Sequence, residues 1–244
     1  MESRAGRRRN GVGCHPASAN LTITPTFAGS ITSDPNAAVI EATIDSAILT
    51  YENLFSNPID VPITFREGGG LGSSAFNVSY GSFSTALYSN AQTTQNANQL
   101  AAVAKNPISA FSPVTGTNDI LMKCANIDAL FGSGSSGCAS DGTITLNTSL
   151  TTPGSPSSSD TYSLLAVAEH EIDEILGLGS NVPSPKDLFR YTAAGVRSFT
   201  TSTATAYFSV NGATDLAQFN NQSNGGDYGD WQSSPLPAGV NPQV

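Results

Sequence analysis

Two stretches in the first half of the chain carry apolar residues at helical spacing. Between 34 and 55 the apolar positions follow Asp34, a suitable N-cap, and Pro35, which suits the first helical position. Between 90 and 105 the sequence is polar, with a narrow stripe of Ala, Leu and Val. We predict a long N-terminal amphipathic helix in the first stretch and a shorter helix in the second.

A third helical pattern lies in YSLLAVAEHEIDEILGLG, at 162–179. Thr161 is the predicted N-cap, and Gly177 and Gly179 are expected to end the helix. The isoleucines and leucines fall on the side opposite to His170. We therefore expect one face of this helix to lie in the core and the other to line a cleft.

Short apolar or alternating runs bounded by Gly, Pro, Asn and Ser predict strands. These runs lie at 57–67, 76–80, 141–149, 197–202 and 205–212. The segment 118–132 fits a helix or a strand equally well. Helices and strands do not alternate regularly, which favours an α+β fold with a mixed sheet over a doubly wound sheet.

The length of the chain, 244 residues, limits the number of domains that it can form. It fits one large domain, or two closely packed halves, over 21–244. The first 20 residues have the basic start of a targeting peptide but lack its apolar segment. We expect them to be a disordered tail or a misassigned start.

Composition narrows the class of protein. Charged residues make up 12% of the chain and the net charge is −9, with a basic run only in the tail, from Arg4 to Arg9. This balance argues against binding to nucleic acid, and no run of about 18 apolar residues supplies a membrane span. Abundant Ser, Thr, Asn and Gly are typical of a secreted bacterial protein.

Cys124 and Cys138 flank the turn GSGSSG, a loop that can close without much strain. We predict a disulfide between them, which would contribute roughly 3 kcal/mol and fit an oxidising compartment. Two free buried thiols are the alternative. Cys14 lies apart, in the tail.

Candidate chemistry concentrates on the third helix. His170 and Glu174 stand one helical turn apart, with Glu171 beside them. The spacing matches the zinc motif HExxH with a carboxylate in place of the second imidazole, so His170 and Glu174 are predicted metal ligands and Glu171 the general base. Zn²⁺ is the expected ion, although two carboxylates also suit harder divalent cations. The competing interpretation is a solvated acidic helix with His170 in a surface hydrogen bond.

A third ligand must come from outside the helix. The only other histidine is in the tail, so this ligand must be an oxygen or a sulfur atom. Asp187 in SPKDLFRY is the first choice, followed by Asp227 or Asp230 in GGDYGDW and then by Ser180. With no second histidine in the body of the chain, a Ser or Cys triad has no base.

The motif order resembles that of a known family. HEIDEILGLGS, followed by SPKDLFRY, RSFT, AYFSVNGATDLAQFN and GGDYGDW, is similar to secreted bacterial zincin-like metalloproteases that carry HEIxE followed by a DLFRY segment. The resemblance covers roughly Leu21–Trp231, and Glu at position 174 is usual in the family. It implies a zincin-like (metzincin-like) domain that acts on a protein or peptide substrate. Family members continue past GDW to a further apolar element, so a truncated C-terminus is expected.

The likeness to zincins also assigns roles to other parts of the chain. The strand DGTITLN is expected to be the edge strand that holds an extended substrate. Tyr191 is a candidate donor of a hydrogen bond to a developing oxyanion. Ser180 stands where metzincins place their third ligand, and there is no methionine for a Met-turn near the end. The alternative class is a non-catalytic secreted or surface protein that keeps a structural metal site and binds a partner through its edge strand.

Overall fold

The computed structural model describes residues 20–68, 72–73, 75–152, 162–178, 184–198, 204–220 and 228–232. These residues form a mixed α+β structure, which confirms the predicted class. The helices are α1 (Gly29–Thr32), α2 (Ala37–Leu54), α3 (Tyr80–Thr94), α4 (Ala97–Lys105), α5 (Cys124–Phe131), α6 (Leu164–Ile175) and the 3₁₀ helix Pro185–Phe189. The strands are β1 (Thr22–Phe27), β2 (Asp60–Glu67), β3 (Gly72–Ser73), β4 (Ala75–Ser79), β5 (Asp119–Lys123), β6 (Gly142–Leu146), β7 (Thr151–Thr152), β8 (Tyr162–Ser163), β9 (Arg190–Ala193), β10 (Val196–Arg197), β11 (Tyr207–Phe208) and β12 (Ala217–Gln218).

The main sheet has four strands in the order β1-β2-β6-β3. β1 and β6 both pair in parallel with β2, and β3 pairs antiparallel with β6 at Thr143 and Gly142. The prediction that DGTITLN is an edge strand is wrong at Gly142 and Thr143, where β3 pairs with β6. From Ile144 to Leu146 the strand pairs with β2 alone among the described strands. The single-sequence pattern of a half-buried strand does not reveal how many neighbours the strand has.

The helices α2 and α6 pack together on this sheet and close the larger hydrophobic core. The predicted apolar face of α2 is buried from Ile40 to Tyr51. The start of α2 differs from the prediction: the helix begins at Ala37, and the Asp34 carboxylate accepts a hydrogen bond from the Asn36 N–H (2.6 Å) in the turn before it. Asp34 thus shapes the turn and does not cap the helix.

A second, smaller core lies between α3, α5, β5 and the 3₁₀ helix. The helix predicted over 90–105 is two helices here, since α3 ends at Thr94 and α4 begins at Ala97. Gln95 adopts a left-handed conformation (φ 53°), and the Asn96 side chain caps α4 by accepting from the Asn98 and Gln99 N–H groups. The ambiguous segment 118–132 contains both a strand, β5, and a helix, α5.

Cys124, the first residue of α5, forms a disulfide with Cys138, with a Cα–Cα distance of 6.3 Å. The predicted pairing is confirmed. The bond ties the N-terminus of α5 to the chain that leads into β6.

The C-terminal part forms a small sheet in the order β10-β9-β11-β12. The strands predicted at 197–202 and 205–212 are much shorter than expected, since only Val196–Arg197 and Tyr207–Phe208 are paired, and residues 199–203 lie outside the described part of the chain. A bridge between Phe219 and Trp231 brings the last described segment, 228–232, alongside β12. Among the described helices, none has the length and apolar character required to cross a membrane.

Candidate metal centre

The helix α6 has defined caps at both ends. Ser163 is its N-cap and accepts a hydrogen bond from the Ala166 N–H (3.3 Å), while Thr161, the predicted N-cap, lies outside the described residues. At the other end the Leu178 N–H donates to the Asp173 carbonyl (2.8 Å), and Gly177 has φ +92°. This bonding is that of a Schellman C-cap, which favours glycine, as predicted for position 177.

The apolar face of α6 lies in the core, as the sequence predicted. The polar face does not line an open cleft among the described residues, since Asp173 and Glu174 are buried and the cavity beside His170 measures only about 10 Å³. Ala168, Ile172 and Ile175 are fully buried in the larger core. The Tyr51 hydroxyl on α2 donates to the Glu169 carbonyl (2.7 Å) and links the two helices. The opposite face carries the candidate metal ligands.

His170, Glu174 and Asp230 each offer a ligand atom, and these atoms all lie within 4.8 Å of one another. The His170 Nε2 and the Asp230 Oδ1 are 4.0 Å apart. Metal–ligand bonds of about 2.1 Å at tetrahedral angles place ligand atoms roughly 3.4 Å apart. The group therefore needs only side-chain shifts of about an ångström or less to enclose an ion.

Asp230 reaches α6 because the segment 228–232 is anchored to the small C-terminal sheet. The Asn220 N–H donates to the Asp230 carbonyl (2.8 Å), and the Gln232 N–H donates to the Gln218 carbonyl (2.9 Å). These bonds place the Asp230 side chain against the polar face of the helix, 56 residues after Glu174 in the sequence.

Asp187, the first-choice third ligand, is not in this group. Its carboxylate accepts hydrogen bonds from the Ser184 N–H (2.9 Å) and Oγ (3.1 Å) and forms an ion pair with Arg190 (3.4 Å). The Asp187 carboxylate thus stabilises the start of the 3₁₀ helix. Asp230, which the sequence ranked after Asp187 as third ligand, lies beside His170 instead. Asp227 and Ser180 lie outside the described residues.

Glu171, the predicted general base, is a largely buried acid close to other carboxylates. Burial, together with the negative charge of Glu174, raises the pKa of its carboxyl to about 7. Its Oε2 is buried and has no hydrogen-bond partner among the described residues. A buried oxygen of this kind is costly unless a proton, a cation or a water molecule satisfies it.

Negative charge is concentrated around the group. Burial also raises the pKa of Asp173, which is 4% exposed, while the charges of His170 and Lys186 act in the opposite direction. Four carboxylates, those of Glu171, Asp173, Glu174 and Asp230, thus influence one another within one small region. The residues present fit a divalent cation both in donor type and in charge.

Two buried lysines next to these carboxylates were missed by the sequence analysis. Burial lowers the pKa of Lys123, on β5, and the charge of Glu174 opposes this effect. Lys186, in the 3₁₀ helix, is 6% exposed, and burial lowers its pKa against the charges of Asp173 and Asp230. The sequence does hold a signal for these lysines, because only six of the ten basic residues lie outside the tail. Each of the six was therefore a candidate for a specific contact.

Tyr191, the candidate oxyanion donor, lies on β9. Its hydroxyl accepts a hydrogen bond from the Arg197 Nε (3.1 Å), and its ring packs against Gly212. It is not among the described residues that line the cavity beside His170. A role for Tyr191 in stabilising an oxyanion stays a prediction.

The cavity beside His170 is small. It measures about 10 Å³ and is lined by His170, Asp173, Leu178, Lys186, Asp230 and Trp231. A larger cavity of about 680 Å³ lies between α3 and α5, and its lining includes no member of the metal group.

No protein family, no curated protein and no solved structure matches the chain.

Proposed function

We propose that the protein is a secreted zincin-like metallopeptidase with a His170, Glu174 and Asp230 metal site and with Glu171 as general base. The observation that carries this proposal is the convergence of the three ligand atoms within 4.8 Å on the polar face of α6. One His and one Glu come from adjacent turns of one helix, and the third group comes from a distant segment. This arrangement is typical of catalytic metal sites that leave a position open for water.

The donor set favours Zn²⁺, with Mn²⁺ and other harder divalent cations as competitors, because two of the three ligands are carboxylates. When bound, the ion would supply a more acidic water molecule and would polarise the substrate carbonyl group. Two carboxylate ligands neutralise the charge of the ion and reduce this acidifying effect, so a modest rate is expected.

Glu171 supplies the proton-transfer step. A carboxyl group whose pKa is raised to about 7 exchanges protons close to neutral pH, where a general base is most effective. The Glu171 carboxylate would accept a proton from the attacking water and donate it to the amine that leaves when the peptide bond breaks. The orphaned Oε2 is the atom available for this transfer.

A peptide substrate follows from the resemblance of the motif order to zincin-like proteases. Secretion is supported by the disulfide between Cys124 and Cys138, because disulfides persist in oxidising compartments.

The second candidate is a structural metal site in a non-catalytic protein. The cavity of about 10 Å³ beside His170 favours it. Such a cavity holds about one water molecule and leaves no room for a peptide unless the neighbouring segments move.

Metal analysis and hydrolysis of unfolded casein distinguish the two candidates. We expect the wild-type protein to hold about one ion per chain, His170→Ala to lose both the ion and the activity, and Glu171→Gln to keep the ion and lose the activity. Glu169→Gln is the matched control on the same helix, since the Glu169 carboxylate accepts a hydrogen bond from Thr50 at the surface. Metal binding without hydrolysis would establish the structural site, and wild-type protein that binds no divalent ion would exclude both candidates.

A further inference from the structure

Lys186 occupies a central position between α6 and the segment that carries Asp230. Its ammonium group donates hydrogen bonds to the Leu178 carbonyl, just after the end of α6, and to the Gly229 carbonyl, one residue before Asp230. The same group lies 3.9 Å from the centre of the Trp231 ring. One side chain thus contacts both segments that contribute metal ligands.

Several contacts together hold the Lys186 ammonium group in one position. A buried ammonium group is costly unless hydrogen bonds and opposite charges compensate for its lost hydration. The two carbonyl groups, the Trp231 ring and the carboxylates of Asp173 and Asp230 provide this compensation. Any displacement of the side chain would lose several of these contacts together.

Arg190 supports the same segment from the next turn of the chain. Its guanidinium group donates to the Tyr228 carbonyl (2.9 Å) and stacks on the Tyr228 ring at 3.7 Å. Two cations four residues apart therefore hold the backbone on the N-terminal side of Asp230. Of these two cations, Lys186 is the one whose described hydrogen bonds also reach the end of α6.

We propose that Lys186 is the positioning residue of the metal site, which fixes Asp230 relative to His170 and Glu174 by joining the end of α6 to Gly229. This inference rests on the proposed metal site. Lys186 is assigned a positioning role and not a ligand role, because its Nζ is engaged by the Leu178 and Gly229 carbonyls.

Replacing Lys186 should change the metal affinity in opposite directions, depending on whether the residue positions a ligand or acts only through its charge. A positive charge near a cation site repels the ion, so removing the charge alone would tighten metal binding. Removing a group that holds a ligand in place weakens metal binding, by about tenfold to a hundredfold for outer contacts of metal ligands. The direction of the change in affinity therefore separates the two roles.

The test compares Lys186→Met, Lys186→Gln and Lys186→Arg with the wild type, using Zn²⁺ alone in competition with a chelating dye. We expect Lys186→Met and Lys186→Gln to weaken Zn²⁺ binding about tenfold or more, and Lys186→Arg to restore the affinity to within about threefold of the wild type. Lys105→Met, at an exposed position of α4, and Ile44→Val, in the larger core, are controls for loss of charge and for general loss of stability. The Gln variant decides the test if the Met variant does not fold.

A second measurement needs no metal. Trp231 is the only tryptophan of the chain, so its fluorescence reports on the docking of its own segment. Quenching by acrylamide should rise in the metal-free Met and Gln variants and stay at the wild-type level in Lys186→Arg, Lys105→Met and Ile44→Val.

The outcomes separate this inference from the proposed function. Wild-type protein that does not bind Zn²⁺ would remove the metal site itself. Wild-type binding combined with unchanged or tighter binding in Lys186→Met and Lys186→Gln would overturn the positioning role alone. Weaker binding in Ile44→Val to the same degree would overturn it as well, because the effect would then follow from stability.

Discussion

At the level of single residues, two aspartates close to α6 have different roles. Asp230 faces His170 at 4.0 Å, whereas Asp187 accepts hydrogen bonds from Ser184 and pairs with Arg190. We expect Asp230→Asn to weaken Zn²⁺ binding about tenfold or more, because it removes a charged ligand. Asp187→Asn should change the affinity much less and should lower the midpoint of thermal unfolding, because it breaks a buried ion pair. Equal losses of affinity in both variants, measured by dye competition, would contradict this assignment.

The predicted third ligand was Asp187, but the structure places Asp230 beside His170. This difference shows how much of the site the sequence can predict. His170, Glu171 and Glu174 were found because helical spacing alone brings them to one face. The third partner depends on how the chain returns through β12 and the bridge between Phe219 and Trp231, which no local pattern records. Sequence proximity favoured Asp187, and a local capping interaction had already engaged it.

The burial of the Asp141 carboxyl group predicts that the stability of the folded protein depends on pH. It is 3% exposed, and its Oδ1 has no hydrogen-bond partner among the described residues. Burial, reinforced by the charges of Asp128 and Asp60, raises its pKa to about 6. The folded protein thus binds this proton more tightly than the unfolded chain does, so the favourable contribution is present at low pH and is lost as the pH rises through about 6.

Asp141→Asn should therefore raise the unfolding midpoint at about pH 7 to 8, with the gain disappearing by about pH 4. Thermal unfolding across this range measures the effect. Asp45→Asn, at an exposed position of α2, is the matched control and should change the midpoint little at any pH. A stabilisation by Asp141→Asn that is independent of pH would show that the charge of Asp141 is not the cause.

At the level of elements, the end of α6 requires a glycine for two reasons. Gly177 has φ +92°, and a Cβ at this position would overlap the carboxamide of Asn126, which donates to the Leu176 carbonyl (2.8 Å). Gly177→Ala should cost about 2 kcal/mol or more, because backbone strain adds to a lost hydrogen bond. Gly134→Ala, at φ +79° with open space around it, should cost only about 1 kcal/mol. Denaturant unfolding measures both values, and equal costs would contradict a role for Asn126.

Local sequence patterns explain which helices and strands were predicted correctly and which were not. The long α2 and the two-faced α6 have strong apolar periodicity, so their existence and their buried faces were predictable. The break between α3 and α4 depends on one residue in a left-handed conformation, Gln95, which is neither Gly nor Asn and gives no signal in the sequence. The antiparallel partner of β6, the two-residue strand β3, is too short to show any pattern.

At the level of the whole molecule, α5 belongs to both hydrophobic cores. Ala125 packs in the larger core with the main sheet, and Ile127 packs in the smaller core with α3 and β5. The α+β class could be predicted from the irregular order of elements, but this division into two cores could not, since it depends on which faces of a single short helix meet which neighbours. Through Asn126 the same helix also contacts the end of α6. The stability of α5 should therefore affect both cores and the metal-binding helix.

The disulfide between Cys124 and Cys138 tests this coupling. It closes a loop with a sequence separation of 14 at the first turn of α5, and a loop of this size stabilises the folded state by about 3 kcal/mol through the unfolded chain. In metal-free protein, the double variant Cys124→Ser/Cys138→Ser should lose about this amount in denaturant unfolding, and a reducing agent should bring the wild type to the same value without affecting the variant. Because α5 joins both cores, the amide protection of Ile44, in the larger core, and of Ile120, in the smaller core, should still fall in one coincident transition as denaturant is added. Two separated transitions in the variant would show that the cores fold independently and that the disulfide, not the packing of α5, couples them.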